Sequence, residues 1–389
     1  MSEILNTLFR FFILGFVIGL FIVFLGPQVY KKSSTSYSVG ILSNRLVSSN
    51  FTDSDSPADV WVGKPGHKKL LKWNSVYRVY TLNGKPIIWT FWDSDKVPDM
   101  IRLSVATVLC HNKDHFEVVL MHEQELAYWV HGVHPGFFWL GRPHKADYFR
   151  ARVLDAYGGV YVDSDTWGFA SLWEQFKKIR WYDMASIDWH PETDLLSVGV
   201  MGPMHARSKF TRRWVTELHN RINRKMDLLE RNHINPGNPY PFGWSEILRD
   251  IVKPLTERLV KEDVSFTMFN LNGARTFGQF FRAWGLGPLT NMSTTAEYKF
   301  ESTELLFYAN SQQPEWTRTT MTVNKWLQSD YLYGAIVRHS MTECRDKQGK
   351  NIDHSPKPRK FVSITGLKGA KADPGLIMWV KNFMKKHGL

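Results

Sequence analysis

Cysteine is almost missing from this chain: Cys110 and Cys344 are its two examples in 389 residues. A pair is too few for a disulfide framework, and the spacing fits no zinc site. The two either bond to each other in an oxidising compartment or remain buried thiols. Acidic charge is the scarcer sign, with 37 Asp and Glu against 49 Lys and Arg and a formal net charge of +12. The basic excess lacks the interleaving with aromatic residues that nucleic-acid binding uses, so no nucleic-acid partner is expected. Disorder is excluded by content, since 43% hydrophobic and 14% aromatic residues suffice for one large core or two modest ones.

Long apolar runs are equally scarce, and the one present is N-terminal. Phe11 to Gly26 is uncharged. As a helix it would reach roughly 24 Å, and including Ile4–Phe9, with Arg10 snorkelling, brings it to the ~30 Å of a bilayer core. Residues 11–27 are therefore expected to be a transmembrane signal-anchor behind a short tail, residues 1–10. A cleaved signal peptide is the competing reading; the length of the run, a barely basic start and the lack of a small-residue cleavage site before Pro27 weigh against it. Lys31 and Lys32 would place the following chain in the cytosol by the positive-inside count. Two sequons, Asn50-Phe51-Thr52 and Asn291-Met292-Ser293, have meaning only in a lumen. The expectation adopted is a single-pass type II membrane protein of the Golgi or ER with a lumenal catalytic domain.

Composition divides the remainder. Residues 28–84, rich in Ser, Asn and Asp from Ser33 to Asp59, read as a stem. Residues 342–389 hold eleven Lys and Arg against four acids and read as a basic C-terminal extension. It is either a solvated tail or a surface for anionic lipid or an anionic donor. Residues 85–341 are left as the folded domain. Pro86 to Trp92 is a near-continuous apolar strand, Ile101, Val105, Val108 and Leu109 repeat at helical offsets, and Phe116 to Met121 is a second strand. Such a βαβ unit places its functional loops at the strands' C-terminal ends. Asp93 and Asp95 lie at one of these ends and read as a polar loop or helix-capping pair.

The segment His144 to Thr166 carries the chemistry. Tyr148, Ala151, Leu154 and Tyr157 fall on one helical face, Gly158-Gly159 stops the helix, and Val160-Tyr161-Val162 is a short strand. Alternation then sends Tyr161, Asp163 and Asp165 to one side. Two carboxylates leaving a strand together call for a cation between them, and a divalent ion with oxygen ligands answers that need. The bland alternative is that Asp163 and Asp165 cap a helix around Leu172–Phe176.

Taken together, Asp147, Arg150, then Gly158-Gly159-Val160-Tyr161-Val162-Asp163-Ser164-Asp165, with Ile88-Trp89 and Trp92 upstream, resemble the sugar-binding DXD region of a nucleotide-sugar glycosyltransferase superfamily. Its members include capsular polysaccharide synthesis proteins, α-1,4-glycosyltransferases, initiating α-1,6-mannosyltransferases and clostridial toxin glucosyltransferases. The resemblance covers about Pro86 to Leu172. It implies a GT-A type, Rossmann-like, mostly parallel α/β sheet flanked by helices. The implied activity is hexosyl transfer, with retention, from a UDP-hexose or GDP-mannose donor to a glycan, glycoprotein or glycolipid.

The resemblance also assigns residues. Asp165, with Asp163, would hold Mn²⁺ or Mg²⁺ at the donor diphosphate, while Asp163, Asp147 and Arg150 would meet the ribose and donor sugar. Arg150 would also steady charge on the leaving phosphate, Trp89 would stack the nucleobase and Tyr161 would line the pocket or belong to the core. Tyr333 to His339 resembles a strand before a histidine that approaches the metal, which makes His339 a further candidate ligand. An Asn frequent in the family is replaced around Ser197-Val198, and the aromatic that usually follows the histidine is replaced by Ser340 and Met341. The alternative is therefore a GT-A-fold sugar- or nucleotide-binding protein with impaired catalysis.

Overall fold

The computed structural model describes residues 57–186, 189–190, 195–196, 199–231, 242–243, 245–263, 268–270, 275–276, 299–301, 305–307, 314–347, 361–363 and 372–389. The expected anchor at 11–27, both sequons and Ser197-Val198 lie outside these residues. Among the described residues no helix is long and apolar enough to cross a membrane.

A meander opens the fold. Strands β1 (Val60–Val62), β2 (Lys69–Asn74) and β3 (Val79–Leu82) run antiparallel into β4 (Lys85–Trp92). The last turn is Asn83-Gly84, with φ of 53° and 79°, the left-handed pair that a two-residue hairpin requires. This corrects the stem expected over 28–84. Its C-terminal part belongs to the sheet because Leu71, Val79, Tyr80 and Leu82 are buried in the core.

Helix α1 (Asp99–Asn112) then crosses to β5 (Glu117–His122), which lies parallel to β4 with Val119 opposite Trp89. Helix α2 (Arg142–Tyr157) leads to β6 (Gly159–Val162), parallel to the other edge of β4 with Tyr161 opposite Trp89. Strand β7 (Thr166–Gly168) leaves this sheet, and β8 (Met184–Ser186) and β9 (Val200–Met204) extend it, β9 lying antiparallel to both β6 and β8. With β10 (Met268–Asn270) parallel to β8, the order among described residues is β1-β2-β3-β4-β6-β9-β8-β10, with β5 on β4. The sheet is thus mixed, which corrects the mostly parallel expectation.

Strand alternation decides which layer each side chain joins. Ile87, Trp89, Phe91 and Tyr161 enter the core shared with α2 and with helices α3 (Lys209–Arg231) and α4 (Arg249–Glu262). Ile88, Val160 and Val162 face the opposite way, toward Val108 of α1. Beyond α1 on that side lie α5 (Val323–Gln328), α6 (Leu332–Lys347) and α7 (Pro374–Lys386). Two corrections follow. Tyr333 to His339 is helix, not strand, since a short apolar run is compatible with either when buried nearly all round. The boundary at 341/342 cuts through α6, and the tail beyond it is no mere extension, because Leu376, Val380, Phe383 and Met384 of α7 are buried.

The two cysteines meet across this layer. Cys110 of α1 and Cys344 of α6 form a disulfide with their Cα atoms 6.1 Å apart.

Candidate active site

Two glycines fix the joint between α2 and β6. Gly158 and Gly159 have φ of 69° and 97°, and a Cβ on Gly158 would lie 2.7 Å from the Met204 carbonyl oxygen. No side chain fits there. Trp89 completes the joint by donating its indole N–H to the Gly158 carbonyl at 2.9 Å. The indole is wholly buried against Trp129 and Tyr157. That corrects the expectation of a base-stacking surface, because neither face of the ring is open to a ligand.

From this joint β6 points Tyr161 and Asp163 toward α2, where Asp147 and Arg150 share a helical face. Arg150 Nη2 donates to Asp163 Oδ1 at 3.0 Å and lies 3.2 Å from Asp147 Oδ1. The Tyr161 hydroxyl donates to the same Asp163 oxygen at 2.8 Å, and the guanidinium sits 4.4 Å above the Tyr161 ring. Arg150 and Asp147 are only 3% and 5% exposed. Burial pushes the Asp147 carboxyl up to about 7, against the pull of Arg150 and with the help of Asp163. Burial works against the charge of Arg150, yet Asp163, Tyr161, Asp147 and Asp165 together hold its pKa above the usual value. Asp163 is likewise raised by burial, with Arg150 and the Tyr161 hydroxyl opposing. A buried cation between two carboxylates is held in place because losing any member strands the others.

Asp165 lies half-buried in the turn before β7. Since β7 follows directly, the paired acids end a strand and do not cap a helix. For a divalent cation the donor set fits one kind of ion. Among the described residues no three His, Cys, Asp or Glu converge, so Asp163 and Asp165 would bind an ion completed by water and phosphate oxygens, as Mg²⁺ and its relatives are. When bound, such an ion stabilises negative charge on a departing diphosphate.

His339 does not join this group. It sits on α6 beside Phe169 and 3.7 Å from Glu343, and among the described residues it forms no group of three ligands with Asp163 and Asp165. Burial lowers its pKa. It is a partner of the helix layer, which corrects its assignment as a metal ligand.

Other rim residues were missed in the sequence. Asp93, just past β4, pairs with Arg142 Nε at 2.8 Å, and Glu123, just past β5, pairs with Lys145 at 2.6 Å. Both cations stand in the first turn of α2, where no acid is found and Gly141 supplies no side-chain cap. Basic residues at the positive end of a helix run against the usual preference, which was the available signal.

Residues 32–180, which contain all of these groups except His339, match the family model of the glycosyltransferase sugar-binding region containing a DXD motif. This segment is similar to a glycosyltransferase sugar-binding region. Asp163-Ser164-Asp165 has the D-x-D spelling of that region's motif, and the Asp147–Arg150 pair is built directly against it. Solved structures of two glycosyltransferases are similar to this chain. The glycosyltransferase GlyE of Streptococcus pneumoniae TIGR4 has 13% identity and a TM-score of 0.30, over 67% of this chain and 64% of that one. The galactosyltransferase LgtC, solved with donor and acceptor sugar analogs, has 13% identity and a TM-score of 0.34, over 69% of this chain and 98% of that one. No curated protein matches the chain.

Proposed function

We propose that the protein is a metal-dependent glycosyltransferase of GT-A type that moves a hexose from a nucleoside-diphosphate sugar to a glycan, glycoprotein or glycolipid, with retention. The observation that carries this reading is the buried Asp147–Arg150–Asp163–Tyr161 array standing behind the DXD acids. It fixes the Asp163 carboxylate at the C-terminal end of a parallel strand, the edge where open α/β sheets bind nucleotides. Positioned carboxylates can bind and orient a metal-held donor, with the buried Arg150 guanidinium holding Asp163 in place, and a leaving diphosphate needs no added acid. The Cys110–Cys344 bond supports a lumenal domain, since such bonds persist in oxidising compartments, and so favours the type II Golgi or ER arrangement. A binding protein with impaired turnover is favoured by the closed position of Trp89, beside the replacements at Ser197-Val198 and at Ser340 and Met341.

Nucleotide sugars screened with Mn²⁺ test the proposal. Release of UDP or GDP from one donor is expected, with loss of release in Asp165→Asn at unchanged folding. Donor binding with no release by any acceptor or water would select the impaired reading, and full activity in Asp165→Asn would remove the catalytic assignment.

A further inference from the structure

The sheet's C-terminal rim holds three basic side chains on α2, and they differ in what binds them. Arg150 is buried between Asp147 and Asp163. Lys145 is 13% exposed and held by Glu123. Arg142 is 79% exposed while its partner Asp93 is 18% exposed. An ion pair this open contributes little and exchanges readily, so Arg142 alone of the three is set to change partners.

Its place matters as much as its exposure. Trp89 of β4 lies opposite Tyr161 of β6, and Asp93 and Asp163 directly follow the C-terminal ends of these two neighbouring parallel strands. Strand alternation puts Trp89, Phe91 and Asp93 on one side, the side of α2. Arg142 therefore reaches from the helix to a carboxylate on the same C-terminal edge of the sheet as Asp163. The arrangement also has a local cost, because a cation in the first turn of α2 opposes the helix dipole and no acid there offsets it. Local rules are broken in this way where function demands it.

We propose that Arg142 is a ligand of the donor's diphosphate, held by Asp93 until a nucleoside diphosphate arrives. Resting on the donor reading above, the pair is a latch: the diphosphate, with more negative charge than one carboxylate and oxygens spaced for a guanidinium fork, takes Arg142 from Asp93. Asp93 thereby sets how tightly the donor is held. The two partners have opposite effects, which a merely structural ion pair would not show.

Titration calorimetry of UDP and GDP with Mn²⁺ against the full chain tests this. Arg142→Ala is expected to weaken the bound nucleotide about tenfold and to reduce the salt dependence of binding, with Arg142→Lys between it and wild type. Asp93→Asn is expected to tighten binding several-fold. Uridine and guanosine, which lack phosphate, should bind all variants alike. Thermal melts of Arg142→Ala and Asp93→Asn control for folding. Unchanged affinity in Arg142→Ala, or equal weakening in both variants, overturns the latch while leaving the donor reading intact. A wild type that binds neither diphosphate overturns both.

Discussion

The two faces of β4 and β6 are made by the same alternation and hold opposite kinds of interior. Toward α2 the strands present Trp89, Phe91 and Tyr161 and end in a buried cation between the buried Asp147 and the partly buried Asp163. Toward α1 they present Ile88, Val160 and Val162, and the helix layer beyond is fastened by Cys110–Cys344. Charge is costly where it is buried unless it is paired and hydrogen-bonded, as Arg150 is. The contrast predicts that damage on the α1 side lowers stability alone, whereas damage on the α2 side also removes ligand binding.

Arg150→Ala should have the largest effect. It leaves the buried Asp147 and the partly buried Asp163 without their cation, and breaking such a group costs about 3–5 kcal/mol. Urea denaturation should show that loss, with UDP binding abolished in the folded fraction. A variant as stable as wild type would break the contrast at its root. Replacing both Cys110 and Cys344 by Ser should cost about 2–5 kcal/mol, because their separation of 234 residues closes a long loop in the unfolded chain. Measured well below the melting temperature, its UDP affinity should equal wild type.

The charged face was legible in the sequence because its signals are local. The spacing of Asp147 and Arg150 on a helix, the glycine pair and the parity of Tyr161 and Asp163 each follow from short-range geometry. Trp89 was misjudged because a strand aromatic next to a double glycine serves as well to seal a joint as to stack a base; only the third dimension distinguishes them. The helix layer was largely illegible. Tyr333 to Val337 lacks a polar face, so period could not separate strand from helix. Part of the mixed sheet was hidden in the segment from Asp59 to Leu82, where short strands joined by polar turns have the composition of a stem, and part in the antiparallel direction of β9. Asp93 and Arg142 are distant in sequence, and each alone is an ordinary surface charge.

Acid should affect the two faces with opposite sign. On the α1 side His111 bonds the Ser340 carbonyl, and burial, with Lys347 adding, lowers it to about 3. An unfolded histidine titrates near 6.5, so the stability from keeping His111 neutral is present above that pH and is lost as pH falls, roughly 2 kcal/mol by pH 5. On the α2 side Asp147 is raised to about 7, above an unfolded value near 3.9, so its burial penalty is full above pH 7 and is relieved by roughly 2–3 kcal/mol on reaching pH 5. His111→Gln should therefore flatten the loss of stability on acidification, and Asp147→Asn should steepen it. Denaturation curves from pH 8 to pH 5 measure both slopes, and equal slopes in the two variants would show that the faces titrate as one unit.

The smallest expected effect isolates one hydroxyl. Tyr161 is fully buried, gives its hydrogen bond to Asp163 at 2.8 Å and supports the Arg150 guanidinium with its ring. Tyr161→Phe keeps the ring and removes the bond, which should cost about 1–2 kcal/mol because Asp163 retains Arg150 as a donor. Tyr161→Leu removes the ring as well and should cost more, since a desolvated cation–π contact adds about 0.5–2 kcal/mol. If the hydroxyl holds Asp163 for the donor, Tyr161→Phe should also weaken UDP binding a few-fold in Mn²⁺ while leaving uridine binding unchanged. Stability lost with UDP affinity intact would move Tyr161 from the site to the core, and the boundary between the two would then fall at the Asp163 carboxylate.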